Sequence, residues 1–225
     1  ATVAVLDRKI RVGLGAEALG EFAAAEPHLE RALELHPDHV SCYALTVEVG
    51  TELWRRVRSG KPAPDEDDQV GKYEMAAHVL EDAGLIRYEV SNWARPGHVS
   101  LYNLSTWGGG EFVAFGLGAH DHRDARRGRN VRRLDTYLRL MGAGSPSPLV
   151  AEVASPDDRE RERVFLGLRR AAGVVAGAAG RALWDSPAGS RLAAAGVLDM
   201  RGDRLVIVDP FRCDAVTREV LAVKL

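Results

Sequence analysis

Apolar and polar positions recur with two different periods along this chain, and each change of period marks an element. Residues 17–35 carry Leu19, Phe22, Ala23, Leu29, Leu33 and Leu35 in a helical stripe, with Pro27 placed to kink or split it. Pro37-Asp38 ends that stretch, and His39–Val47 (HVSCYALTV) follows as a β-rich run long enough for a buried strand. Helix, turn and strand in that order suit a β/α barrel or a doubly wound sheet. Thr51 is placed to cap a short helix that ends near Ser59-Gly60. Asp65, Glu66, Asp67 and Asp68 then load the first turn of a helix running to Ala83, where negative charge suits the N-terminus. Val70, Tyr73, Ala77 and Leu80 share its apolar face, and Gly84 stands where a left-handed C-terminal residue belongs. Arg87–Trp93 alternates like a single strand.

Periodicity fades between 95 and 131. Gly97, Gly108, Gly109, Gly110, Gly116, Gly118 and Gly128 predict a loop-rich stretch with one short strand, Glu111–Phe115. Leu134–Met141 reads as a brief helix, and Gly142–Pro148 (GAGSPSP) as a linker, so the expected division is 1–142 and 149–225. Ser155 with Asp158 caps a helix over Pro156–Arg170, whose buried side holds Val164, Phe165, Leu166 and Leu168. A short helix at Ser190–Ala195, a hairpin flanking Arg201-Gly202-Asp203 and a last helix at Asp214–Val223 complete a winged-helix-like order.

Composition narrows the classes. The 225 residues are 46% hydrophobic and 28% charged, the balance of a globular protein. Thirty basic against 32 acidic side chains leave a net charge of −2, and the signs are mixed on every segment, so nucleic acid is not an expected partner. There is no apolar run of membrane-spanning length and no signal-like h-region in the first residues, so the expected location is cytoplasmic. Cys42 and Cys213 are far apart and no C-x-x-C occurs, which excludes a zinc knuckle or a cluster held by local cysteines within these residues. Each is expected as a reduced buried thiol.

Three local patterns carry candidate chemistry. Gly116-x-Gly118-Ala119 is either a tight turn or a place where backbone approaches a ligand closely. His120-Asp121-His122, if extended, puts both imidazoles on one face, either as ligands of a metal or haem or as a solvated pair. Arg123, Arg126, Arg127, Arg129, Arg132 and Arg133 either form a solvated face or supply bidentate partners for carboxylates and phosphates. The other histidines, His39 among them, read as surface or packing residues.

Four strings go further: Ser41–Val57 (SCYALTVEVGTELWRRV), Tyr88–His98 (YEVSNWARPGH), Asn103–His120 (NLSTWGGGEFVAFGLGAH) and Val164–Arg170 (VFLGLRR). In this order they resemble the HemW-type radical-SAM haem chaperones, relatives of oxygen-independent coproporphyrinogen III oxidase. The resemblance implies an α/β fold: the last units of a β/α barrel over 1–142, then a small α+β winged-helix-like domain over 149–225. A complete barrel takes about 250 residues, so only the C-terminal portion of the family's architecture is expected. It also implies a [4Fe–4S] cluster and S-adenosylmethionine, but this sequence has no C-x-x-x-C-x-x-C, and Lys9 stands where the family has an acid beside that cofactor. The family's Y-G-L-P-G-E-T loop becomes Val12–Ala18 (VGLGAEA) without its proline. The H-N-x-x-Y-W string becomes Tyr102–Trp107 (YNLSTW), which puts Tyr102 where the family's histidine faces haem; R-W-W-N becomes Arg127-Gly128-Arg129-Asn130.

The implied function is haem-chaperone-like binding of haem or another porphyrin, with no catalytic residues and no radical chemistry from this chain alone. The alternatives are part of a coproporphyrinogen-oxidase-like enzyme whose cluster half lies elsewhere, and a degenerate chain without a ligand. Candidate haem contacts are Tyr102, His120 and His122, with Arg126 or Arg129 for the propionates and Gly116, Gly118 and Ala119 as pocket backbone. A haem-acceptor protein, and self-association through unpaired strand edges, are the expected macromolecular partners.

Overall fold

The computed structural model describes residues 2–7, 10–14, 25–145 and 148–225, with side chains from 26 to 145 and from 152 onward. Lys9, residues 15–18 of the glycine loop and the expected helical residues 17–24 lie outside the described residues. The chain forms two compact units, Ala1–Val99 and Ser100–Leu225. The expected linker at 142–148 falls inside the second unit.

In the first unit, β1 (Thr2–Asp7) and β2 (Ile10–Leu14) pair antiparallel. α1 (Ala25–Leu33) carries Pro27 in its first turn, where a missing N–H costs nothing. β3 (His39–Tyr43) is shorter than the expected run. α2 (Glu52–Arg58) begins at Thr51, whose hydroxyl accepts the Trp54 N–H. α3 (Glu66–Asp82) begins at Asp65, whose carboxylate accepts the Asp68 N–H at 2.9 Å. It ends in a Schellman motif: Gly84, at φ +79°, donates to Glu81, and Leu85 donates to Leu80. The segment expected as one strand is a hairpin, β4 (Ile86–Glu89) and β5 (Asn92–Ala94), reversed at Val90-Ser91.

The sheet order is β2-β1-β3-β5-β4, and every ladder in it is antiparallel. A barrel's ladders are parallel. β3 and β4, joined through α2 and α3, do run in the same direction, as a crossover requires; β5 doubles back and inserts between them. Val40 lies opposite Trp93, and both are fully buried with Cys42, Leu29, Leu80 and Leu85. On the other face of β3, His39 and Ser41 are polar and also buried. Ser41 donates to Asn92, and the Asn92 amide donates to Glu89, whose carboxylate also accepts the Ser91 N–H at 3.1 Å. These bonds offset what burial of those polar groups costs.

The second unit opens with α4 (Leu101–Trp107), capped by Ser100. Where the sequence predicts loop, a hairpin forms: β6 (His120–Arg123) and β7 (Arg126–Asn130). The expected strand at 111–115 reduces to one bridge, Phe112 to His122. After α5 (Leu134–Gly142), β8 (Pro148–Val153) joins β7 antiparallel. α6 (Pro156–Gly167) starts at Ser155, whose hydroxyl accepts the Asp158 N–H at 3.1 Å. Then come β9 (Val174–Val175), α7 (Gly177–Trp184), α8 (Pro187–Ala194), β10 (Leu198–Arg201), β11 (Arg204–Ile207) and α9 (Cys213–Ala222), with β11 central in a small sheet. α6 packs on α7 and α9. The core there is Val164, Leu168, Leu183, Leu205, Val216 and Val220, each at most 2% exposed. Each such side chain contributes about 1.5–3 kcal/mol of burial, and together they fix the position of α6.

Candidate functional site

A cavity of about 550 Å³ lies wholly within the second unit. That volume is in the range of small-molecule sites. Its first wall is the glycine run after α4. Gly108 closes the helix, Gly109 takes φ +76°, and the Gly110 N–H donates to the Ser105 carbonyl at 2.8 Å, a second Schellman motif. A Cβ on Gly110 would stand 2.8 Å from that same carbonyl oxygen, so the chain can pass here only as glycine. Glu111 and Phe112 extend this wall.

The second wall is the β6–β7 hairpin. His120, Asp121, His122, Ala125 and Arg127 line the cavity. His122 Nδ1 lies 3.3 Å from the Gly110 carbonyl oxygen. A carbonyl only accepts, so Nδ1–H donates and Nε2 of the neutral ring keeps its lone pair. The His122 ring also leans on Phe112, 6.1 Å between centroids. Arg127 stands directly opposite His122 in the ladder, on the same face.

The third wall is α6. Arg159, Glu162, Arg163 and Leu166 follow helical spacing, with Phe165 beside them. Arg127 and Glu162 form an ion pair between hairpin and helix. Arg163 is held within its own wall by Glu160, at 2.8 Å, and by the carbonyls of Val175 and Ala176. That guanidinium keeps the Glu160 carboxyl below its ordinary range, helped by the Ala179 N–H. Behind the first wall, the Arg169 guanidinium stacks on Trp107 and Phe165, 5.2 and 5.5 Å from the ring centroids, and reaches Asp214 at 3.2 Å.

The sequence-derived candidates distribute unevenly over this site. His120 and His122 both line it, as does Arg127 from the arginine run. Arg126 sits beside the hairpin turn opposite Arg123, and Arg129 opposite His120; neither is among the lining residues. Tyr102 is 65% exposed on α4, its ring 6.5 Å from Phe112. Gly116 and Gly118 adopt φ of +92° and +67° in the turns leading to β6. Gly116 donates to the Tyr137 hydroxyl, its carbonyl accepts the Asn130 amide at 2.8 Å, and Ala119 accepts the Asn130 N–H at 2.8 Å. Their backbone is thus engaged within the fold, away from the cavity lining. Sequence reasoning missed Phe112, Arg159 and Glu162. The i, i+3, i+7 spacing of Arg159, Glu162 and Leu166 on α6 is the signal that was available.

The thiols do not fit an iron–sulfur cluster. Cys42 and Cys213 are both buried and lie in different units, and burial pushes the Cys42 thiol up to about 11, so it stays protonated near neutrality. Among the described residues, no group of three or more histidine, cysteine or acidic side chains is placed to hold a metal ion. Among them, no helix is long and apolar enough to cross a membrane.

No protein-family model matches the chain. Among curated proteins it is 39% identical over 197 residues to the heme chaperone HemW of Mycobacterium tuberculosis, covering 86% of this chain and 50% of that protein. It is 42% identical over 142 residues to the mitochondrial radical S-adenosyl methionine domain-containing protein 1 of Danio rerio, covering 63% of this chain and 31% of that one. Among solved structures, the radical-SAM coproporphyrinogen III oxidase HemN of Escherichia coli matches with a TM-score of 0.65 at 14% identity, over 85% of this chain and 50% of that chain. The chain spans about half the length of the mycobacterial HemW relative. The sequence thus matches a C-terminal portion of the HemW-type radical-SAM proteins, and the mixed α/β fold is similar to that of the coproporphyrinogen oxidase HemN.

Proposed function

We propose that this chain is a haem-binding, haem-chaperone-like portion of its family, and that the cleft between the β6–β7 hairpin and α6 is where haem or a related porphyrin sits. One observation carries the reading: a cavity of about 550 Å³ gathers the clustered histidines, apolar surface from Phe112, Phe165 and Leu166, and arginine cations on a single set of walls. That is the donor set haem asks for: an imidazole for iron, rings for the macrocycle and guanidinium for propionates. His122 is the favoured iron ligand, because its Nδ1 contact with Gly110 leaves Nε2 to bind. His120, two residues away on the same strand face, cannot reach the opposite side of the same macrocycle. Tyr102, whose ring meets Phe112, is the second-choice ligand, and Arg129, two residues along on the strand face of Arg127, the further propionate partner; Arg126 lies on the opposite face of the hairpin. The name of the HemW relative supports haem as the ligand.

A titration of the chain with ferric haem, followed by visible absorption, tests this. The expected result is a saturable Soret shift that His122→Ala weakens about tenfold or more, with a smaller effect of His120→Ala and of Tyr102→Phe. A Soret response indifferent to all three substitutions means that haem adheres to exposed apolar surface, and the reading fails.

A further inference from the structure

The cleft already contains a carboxylate paired with one of its cations. Of the arginines that line it, Arg163 is engaged by Glu160 and two backbone carbonyls, and Arg127 is paired with Glu162. Arg159 lines the same cavity, and among the described residues no acid lies within ion-pair distance of it. It is three residues before Glu162 on α6, so it occupies the same helix face one turn back. Arg127 lies opposite His122, the proposed iron ligand. A porphyrin whose iron rests on His122 would bring its peripheral carboxylates within reach of Arg127.

We propose that Glu162 is the specificity-determining residue of the cleft: it holds Arg127 until a ligand carboxylate displaces it, and Arg159 then receives Glu162. The proposal rests on the reading of the cleft as a haem or porphyrin site. The exchange is chemically balanced. No covalent bond is made or broken: Glu162 passes from Arg127 to Arg159, which had no acidic partner among the described residues, and Arg127 takes the ligand carboxylate in its place. The Arg127–Glu162 pair favours exchange because it is half-exposed, with side chains 43% and 21% accessible, and pairs of that kind contribute little net stability. A planar guanidinium also recognises a second carboxylate in the same bidentate manner as the first. A neutral ligand of the same shape cannot displace Glu162, so the cleft selects for porphyrins bearing free carboxylates.

The test compares haem with haem dimethyl ester, in which both propionates are neutral, on the wild-type chain and on three variants. Glu162→Gln frees Arg127 and is expected to tighten haem binding about three- to tenfold while leaving the ester unchanged. Arg127→Gln is expected to abolish the preference for haem over its ester. Arg159→Gln, which removes the acceptor for Glu162, is expected to weaken haem binding about threefold without affecting the ester. Thermal melting of each variant separates loss of fold from loss of binding, and Glu162→Asp, which keeps the charge, should behave like wild type. If Glu162→Gln leaves the ratio of haem to ester affinity unchanged, or shifts both alike, the exchange is wrong while a His122-dependent site stands. If haem and ester bind equally and neither depends on His122, the exchange and the haem reading fall together.

Discussion

His39 illustrates how one buried side chain ties stability to pH. Its Nε2 lies 2.7 Å from the Tyr88 hydroxyl, its Nδ1 is buried without a partner, and burial holds its pKa below the ordinary 6.5. In the unfolded chain the ring titrates normally. As pH falls through 6.5 the unfolded state therefore takes up the proton first, and stability contributed by the neutral ring, complete above that pH, is lost toward the lower folded pKa. The carboxyls of Asp158 and Glu160, held below their ordinary values of 3.8 and 4.5, lose their contribution only at lower pH, so the two effects separate. The melting temperature should drop between about pH 7.5 and about pH 5.5, and His39→Gln should flatten that drop; an equally steep drop in the variant would contradict the assignment. Little of this was legible from the sequence, because Tyr88 lies 49 residues further on and no local pattern marks the pair. The same holds for Arg127. The sequence shows a run of arginines, but strand alternation decides which of them meets Glu162.

At the scale of elements, the β6–β7 hairpin is what builds the site, and it was hidden. Its strands, HDHR and RRGRN, lack apolar alternation, and the backbone pairing with β8 supplies what hydrophobic pattern does not. Its two-residue turn, Asp124-Ala125, adopts φ of +50° and +59°, a type I′ geometry that normally announces itself with glycine. Ala125 bears a strain there that glycine would not. Ala125→Gly should therefore stabilise the chain by about 1 kcal/mol, read as a rise in the midpoint of denaturant unfolding; a fall would show the turn geometry to be wrong. Helices with explicit ends were legible. Asp65 and Gly84 bracket α3, and Ser155 starts α6 as its capping signature predicts. α7 (GAAGRALW) escaped because alanine and glycine carry no stripe. The β4–β5 reversal escaped because Val90-Ser91 contains neither glycine nor proline.

At the scale of the whole molecule, likeness to radical-SAM proteins coexists with described residues that group no three cysteine, histidine or acidic side chains around a metal ion. Cys42 and Cys213 are buried in separate units, and the Cys42 thiol is pushed toward its protonated form. Anaerobic reconstitution of this chain with iron and sulfide should give no stoichiometric cluster and no reductive cleavage of S-adenosylmethionine. Formation of 5′-deoxyadenosine by the chain alone would refute that. The cleft is built entirely by the second unit, so ligand binding should be confined there. Hydrogen exchange read by mass spectrometry, with and without ferric haem, locates the ligand without any substitution. Haem-dependent protection is expected at residues 108–112, 120–127 and 159–166, the three walls of the cleft, and none in the first unit. Protection centred on residues 1–99, or no localised protection at saturating haem, would show that the cleft is not the haem site.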